Sequence, residues 1–133
     1  MQIIQSLTEL RSWRQQCHKD GKTVAFVPTM GNLHEGHIEL VTQAHQYADY
    51  VITSIFVNPM QFGKNEDLDA YPRTFEADCD KLKAVNNHVV FYPSVEDMYP
   101  SGLSAQTVVS VPNNEFEFCA EATQRPGHFD GVA

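Results

Sequence analysis

Two histidines three residues apart close the segment Pro28-Thr29-Met30-Gly31-Asn32-Leu33-His34-Glu35-Gly36-His37. An apolar run leads into it and a helical pattern leads out. Gly31 allows a tight turn, and Gly36 leaves room for a ligand against the main chain. The N–H groups that open a helix attract an anion, and side chains three apart share a helical face. Two imidazole donors there suit phosphate oxygens, the more so as charge builds at an α-phosphorus during displacement. A pair at this spacing also suits a plain helix cap, but the preceding strand and the two glycines favour the phosphate. Zinc fits poorly, because H-E-G-H is not H-E-x-x-H and leaves Glu35 out of place as a base.

A second polar cluster, Phe56-Val57-Asn58-Pro59-Met60-Gln61-Phe62-Gly63, holds two amides that each donate and accept hydrogen bonds. Asn58 and Gln61 suit a substrate with hydroxyl and carboxylate groups, with Met60 and Phe62 as apolar walls. The alternative is a simple turn with Gln61 in solvent. A third segment, Arg125 to Val132 (RPGHFDGV), has the composition of a loop. Its Arg125 or His128 could approach a carboxylate or phosphate, though nothing local requires it. Glu66, Asp67 and Asp69 look like a solvated acidic stretch, and Glu76, Asp78 and Asp80 like an exposed helix face. His18, His45 and His88 look like surface or packing residues outside any cluster. Tyr92-Pro93-Ser94 and Met98-Tyr99-Pro100 look like turns.

The elements that must position these groups alternate along the chain. Met1 to Gln5 is a candidate short strand. Ser6, with Glu9 three residues on, is the N-cap of a helix carrying Leu7, Leu10, Trp13 and Cys17 on one face, and Asp20-Gly21 stops it. Thr23 to Pro28 (TVAFVP) has the near-continuous apolar pattern of a strand buried on both faces. A helix from Gly36 to Tyr47 follows, with Ile38, Val41, Ala44 and Ala48 facing inward. Tyr50 to Val57 is a second buried strand. Asp69 caps a helix with Pro72 in its first turn and Phe75, Cys79 and Leu82 on its core face, and Asn86-Asn87 ends it. His88 to Tyr92 is a third strand and Thr107 to Val111 a fourth. Strand–helix alternation predicts an α/β fold, a Rossmann-like parallel sheet flanked by helices. Ligands then sit beyond the C-terminal ends of the strands, at the loops Thr29 to Gly36 and Asn58 to Asn65.

Composition narrows the function. The 133 residues suit one domain. Nine basic against 17 acidic residues give a net charge of -8, which argues against a nucleic-acid surface. A phosphate ligand must then find its positive partners locally, in N–H groups, histidines or a metal ion. No apolar run reaches the roughly 20 residues of a membrane span. The first ten residues lack the pattern of a signal peptide, so a cytoplasmic location is expected. Cys17, Cys79 and Cys119 are odd in number and far apart, which fits reduced thiols. The last five residues, Phe129 to Ala133, look like the opening of a further element, which suggests a truncated chain.

The segments PTMGNLHEGH (Pro28 to His37), SIFVNPMQFG (Ser54 to Gly63), YPRT (Tyr71 to Thr74) and RPGHFDGV (Arg125 to Val132), in this order, resemble the pantothenate synthetase family. H-x-G-H alone marks only the wider nucleotidyltransferase superfamily, whereas the combination is highly specific. The resemblance implies a ligase that adenylates pantoate with Mg-ATP, releases pyrophosphate, and lets β-alanine displace AMP to form pantothenate, a coenzyme A precursor. It implies that Met30, Gly31, Asn32, Leu33, His34, Glu35, Gly36 and His37 bind ATP. His34 and His37 would be catalytic contacts to phosphate, with His37 as proton donor. Gln61, Asn58 and Met30 would bind pantoate, and Gln61 would also lie near β-alanine. It implies small-molecule partners, Mg²⁺ with the ATP co-substrate, no metal ligands in this chain, no nucleic acid or membrane, and a homodimer.

Two departures from the family pattern stand out. Asn114 to Gln124 does not match the usual leucine–glutamate–glycine lead into RPGHF. The later G-E-K-D and serine–arginine segments and the C-terminal lid domain are absent, so residues 1–133 are expected to be an incomplete nucleotide-binding domain, weak or inactive alone. Rival readings are another H-x-G-H nucleotidyltransferase acting on a phosphorylated acceptor, disfavoured by the lack of basic residues in Asn58 to Gly63, and a non-catalytic binding or dimerising fragment.

Overall fold

Strand-favouring residues cluster in four short segments, and these pair side by side in the computed structural model, which describes residues 1–62, 68–110 and 127–132. The strands are β1 (Gln2–Ile4), β2 (Val24–Thr29), β3 (Tyr50–Ile55) and β4 (Val89–Phe91). They form one parallel sheet in the order β1-β4-β3-β2. Helices α1 (Leu7–Lys19), α2 (Glu35–Ala44) and α3 (Phe75–Ala84) connect them. Two short helices follow, α4 (Val95–Met98) and α5 (His128–Val132). The expected α/β, Rossmann-like architecture is therefore present. Among the described residues no helix is long and apolar enough to cross a membrane.

The two-residue period of β3 sends its side chains to two separate cores. Val51 and Ile55 join Val27, Leu33, Val41, Leu82 and Val90 under α2 and α3. Ile52 joins Ile4, Val89 and Phe91 on the other face, where Leu7, Leu10 and Trp13 of α1 cover them. Full burial of a side chain such as Leu82, which is 0% exposed, contributes about 2–3 kcal/mol. The α1 start is as expected, with Ser6 Oγ accepting from Glu9 N–H at 3.2 Å. Cys17 and Cys79 are buried thiols, each held above the usual thiol range mainly by burial. Cys119 lies outside the described residues.

Several expectations need correction. Thr107 to Val111 is not the fourth strand: residues 107–110 carry no strand, position 111 lies outside the described residues, and the place beside β4 belongs to β1, with Ile4 opposite Phe91. β2 is not buried on both faces. Val27 and Thr29 point inward, but Phe26 is 60% exposed, because α1 reaches this end strand only at Val24. The second helix ends at Ala44, short of Tyr47. The third begins at Phe75 rather than near Asp69, because Tyr71 precedes a proline and is held out of helical geometry. Tyr92 to Ser94 carries no turn: Tyr92 N–H donates to the Ile4 carbonyl, and Ser94 caps α4 through a hydrogen bond from Asp97 N–H. Asp78 is only 1% exposed, whereas Glu76 and Asp80 are exposed as expected. His45 and His88 are not isolated: their rings meet edge to face at 5.4 Å, and His88 also meets Tyr50.

Candidate functional site

Three loops meet beyond the C-terminal ends of the parallel strands, where β2 runs into Met30–His34, β3 into the 3-10 turn Pro59–Gln61, and β4 into Tyr92. The turn after β2 is built stepwise. Thr29 Oγ1 donates to the Ser54 carbonyl at 2.8 Å and accepts from Gly31 N–H at 3.2 Å, fastening the two strand ends. Gly31 then turns at φ 81. A Cβ there would lie 3.2 Å from Ile55 Cγ2 and 3.3 Å from Asp78 Oδ2, so both the angle and the space require glycine. Asn32 follows at φ 51, also left-handed. The side chain of Leu33 enters the core, leaving only its backbone facing the turn.

His34 and His37 do not meet as neighbours on a helix face. His34 is the N-cap of α2, in extended geometry, and the pair forms a reciprocal cap. Gly36 N–H donates to His34 Nδ1 at 3.1 Å, and His34 N–H approaches His37 Nδ1 at 3.3 Å. The ring centroids are 4.0 Å apart. Both Nδ1 atoms act as acceptors, so each neutral ring carries its hydrogen on Nε2. Burial holds His37 below the usual histidine range, the neighbouring His34 adds to this, and Asp78 partly opposes it.

The amide donors expected to greet an anion are partly engaged within the protein. Asn32 and Leu33 N–H both donate to Asp78, and Gly31 and Gly36 N–H to Thr29 and His34. Sequence reasoning placed Asp78 on an exposed face and missed this role. The available signal was its register with Cys79 and Leu82, both also buried.

Met30, His37, Asn58 and Gln61 line one cavity of about 460 Å³, with Phe56 and Val132 among its apolar walls. Four predicted site residues therefore converge. His34 does not line that cavity and borders a second cleft with Leu33, Glu35 and Lys81. Met60 and Phe62 do not line that cavity. Met60 borders a neighbouring cleft with Tyr99, and Phe62 packs edge to face on Tyr71. Gly63 and Asn65 lie outside the described residues.

Asn58 is a hub rather than a free amide. Its Oδ1 accepts from Met60 N–H at 3.0 Å and from the Tyr99 hydroxyl at 2.7 Å, while its Nδ2 donates to the Gly131 carbonyl at 3.1 Å. His128 Nδ1 lies 2.9 Å from the Gln61 carbonyl. Within the segment read as a loop, residues 128–132 thus form α5 and close against the 58–61 turn. A Cβ on Gly131 would overlap the Met60 carbonyl, so only glycine permits this approach. Arg125 lies outside the described residues, and no group of three or more metal-ligating side chains occurs among the described ones.

The fold and this turn define a Rossmann-like α/β domain with an H-x-G-H turn where a parallel sheet presents its strand ends. The family model for pantoate-beta-alanine ligase matches residues 2–133, and the chain belongs to that family. It is 56% identical over all its 133 residues to pantothenate synthetase of Marinobacter nauticus, covering 46% of that protein. It is also 56% identical to the Idiomarina loihiensis enzyme, covering 45% of it. Among solved structures, it matches pantoate-beta-alanine ligase from Francisella tularensis, complexed with beta-gamma ATP and beta-alanine, at a TM-score of 0.87 and 39% identity. That match covers 99% of this chain and 49% of the other. Pantothenate synthetase from Thermus thermophilus matches at a TM-score of 0.85 and 41% identity, covering 99% and 45%. The chain thus spans a little under half the length of these curated relatives.

Proposed function

We propose that this chain is the nucleotide-binding part of a ligase that joins pantoate to β-alanine at the expense of ATP through a pantoyl adenylate. The observation that carries the proposal is His37, held in a reciprocal backbone cap with His34, beside a cavity that also bears Met30, Asn58 and Gln61. In the first step a pantoate carboxylate oxygen attacks the α-phosphorus of ATP. The bond from that phosphorus to the bridging oxygen breaks and pyrophosphate leaves. In the second step the β-alanine amine attacks the acyl carbon, the bond from that carbon to the bridging phosphate oxygen breaks, AMP leaves with that oxygen, and the amine proton passes to water. His34 and His37 donate through Nε2–H to phosphate oxygens as charge builds on them. Gln61 and the Met30 wall hold pantoate in line, with Gln61 also near the β-alanine site.

The turn offers imidazoles and N–H groups, and both Asp78 oxygens are engaged by donors. It therefore lacks the oxygen ligands that Mg²⁺ prefers. Magnesium enters as part of the ATP substrate. A cytoplasmic homodimer, low activity of residues 1–133 alone and a lid outside this chain complete the reading.

The test is titration with pantoate and with phosphorylated acceptors, alongside pantoate-dependent exchange of labelled pyrophosphate into ATP. Pantoate binding that disappears in Gln61→Ala is expected, with weak exchange or none. A chain that prefers phosphorylated acceptors and ignores pantoate sinks the proposal.

A further inference from the structure

Helix α3, behind the histidine turn, carries two side chains that grip the Leu33 residue from both sides. Asp78 Oδ1 accepts from Leu33 N–H at 2.8 Å, and Oδ2 accepts from Asn32 N–H at 2.9 Å and from the Thr74 hydroxyl at 3.1 Å. Three residues on, Lys81 Nζ donates to the Leu33 carbonyl at 2.5 Å. Side chains at this spacing share a helix face.

A buried carboxylate is a costly way to fill space, and an apolar side chain of similar volume is often the more stable choice. What a carboxylate adds is two strong acceptors at a fixed separation. Here they meet consecutive N–H groups in a turn that passes through two left-handed residues, Gly31 and Asn32. The gripped Leu33 is followed at once by His34, whose backbone and ring form the reciprocal cap with His37. The grip therefore fixes where the imidazole pair begins.

We propose that Asp78, assisted by Lys81, is a positioning residue that sets His34 and His37 for the nucleotide. The inference rests on the nucleotide reading of the turn. Asp78 touches no substrate in this account and acts through the backbone of Asn32 and Leu33.

The experiment combines ATP and pantoate titrations with nitrogen NMR of the histidine rings, which distinguishes the Nε2–H from the Nδ1–H tautomer. It uses the 133-residue chain and its Asp78→Asn and Lys81→Met variants. In Asp78→Asn, both rings are expected to pass from one tautomer to a mixture. ATP binding is expected to weaken about tenfold, the scale of one charge-assisted hydrogen bond, with pantoate affinity held within about twofold. Lys81→Met, at an exposed position, is expected to move in the same direction by less. Unchanged tautomers and unchanged ATP affinity in both variants would overturn the proposal. Should Asp78→Asn fail to fold, Lys81→Met decides: mixed tautomers uphold the grip and a single tautomer overturns it. Should the unsubstituted chain ignore ATP, the nucleotide reading falls, and the ring spectra alone decide the positioning role by the same criterion.

Discussion

The Gly36 amide donates to His34 Nδ1 at 3.1 Å, and this contact decides which nitrogen of the imidazole can face a ligand. A Cβ at position 36 would lie 2.9 Å from His34 Cε1 and 3.1 Å from Nδ1. Gly36→Ala should therefore push the ring out of its cap without disturbing the cores. The expected result is a loss of ATP affinity of about tenfold, comparable to one charge-assisted hydrogen bond, with the melting temperature little changed. Calorimetric titration and a thermal melt of the same sample check both parts.

Gly131 makes a second steric demand. Gly131→Ala cannot keep its present contact with the Met60 carbonyl, because the added carbon would overlap it. The variant is expected to release α5, expose residues 127–132 to limited proteolysis, and weaken pantoate binding. Cleavage in that segment at the unsubstituted rate would argue against the closure.

Acid should weaken the fold through two histidines. His88 sits below the usual value of 6.5, mainly through burial, with His45 and the N-terminal ammonium adding to the effect, and its Nδ1 accepts Val51 N–H at 3.0 Å. His37 is lowered as well. The unfolded chain then binds more protons than the folded one below 6.5. Stability is therefore full above that value and falls as pH drops through it toward the folded pKa. Denaturant midpoints at about pH 7.5 and about pH 5.5 should differ, and less so in His88→Gln. Equal differences in the two proteins would remove His88 from the account.

Leu82 lies on the same helix as Asp78 but faces the core. Leu82→Ala should cost about 2–5 kcal/mol, measured by urea unfolding, and leave the tautomers of His34 and His37 unaltered in the folded fraction. The contrast with Asp78→Asn separates packing from positioning.

Much of the fold was legible because β3, β4 and α1 carry undiluted local signals: apolar β-branched runs, and Ser6 with Glu9 at a helix start. That Met30, His37, Asn58 and Gln61 come to line one cavity was legible because a parallel sheet delivers successive strand ends to one side. What failed depended on distant partners. Thr107 to Ser110 has a strand-like composition, but β1 already pairs with β4. Asp78 stands among charged residues whose spacing suggested solvent, and only the turn from residues 31–33 packed against it reveals its burial. Asn58 was expected to meet substrate directly, yet its amide also ties Tyr99 and Gly131 to the 58–61 turn. Those partners lie 41 and 73 residues away.

That last tie has a consequence for the order in which the molecule assembles. Bringing Asn58 to Gly131 closes a loop of 73 residues. The sheet closes shorter loops, such as the 25 residues between Thr29 and Ser54. Loop closure is costlier for the longer span, and α5 contributes no buried residue to offset it. The outer wall of the cavity is thus expected to form after the sheet and to open before it. On this view the cavity can admit its ligands through a local breathing motion that leaves both cores intact.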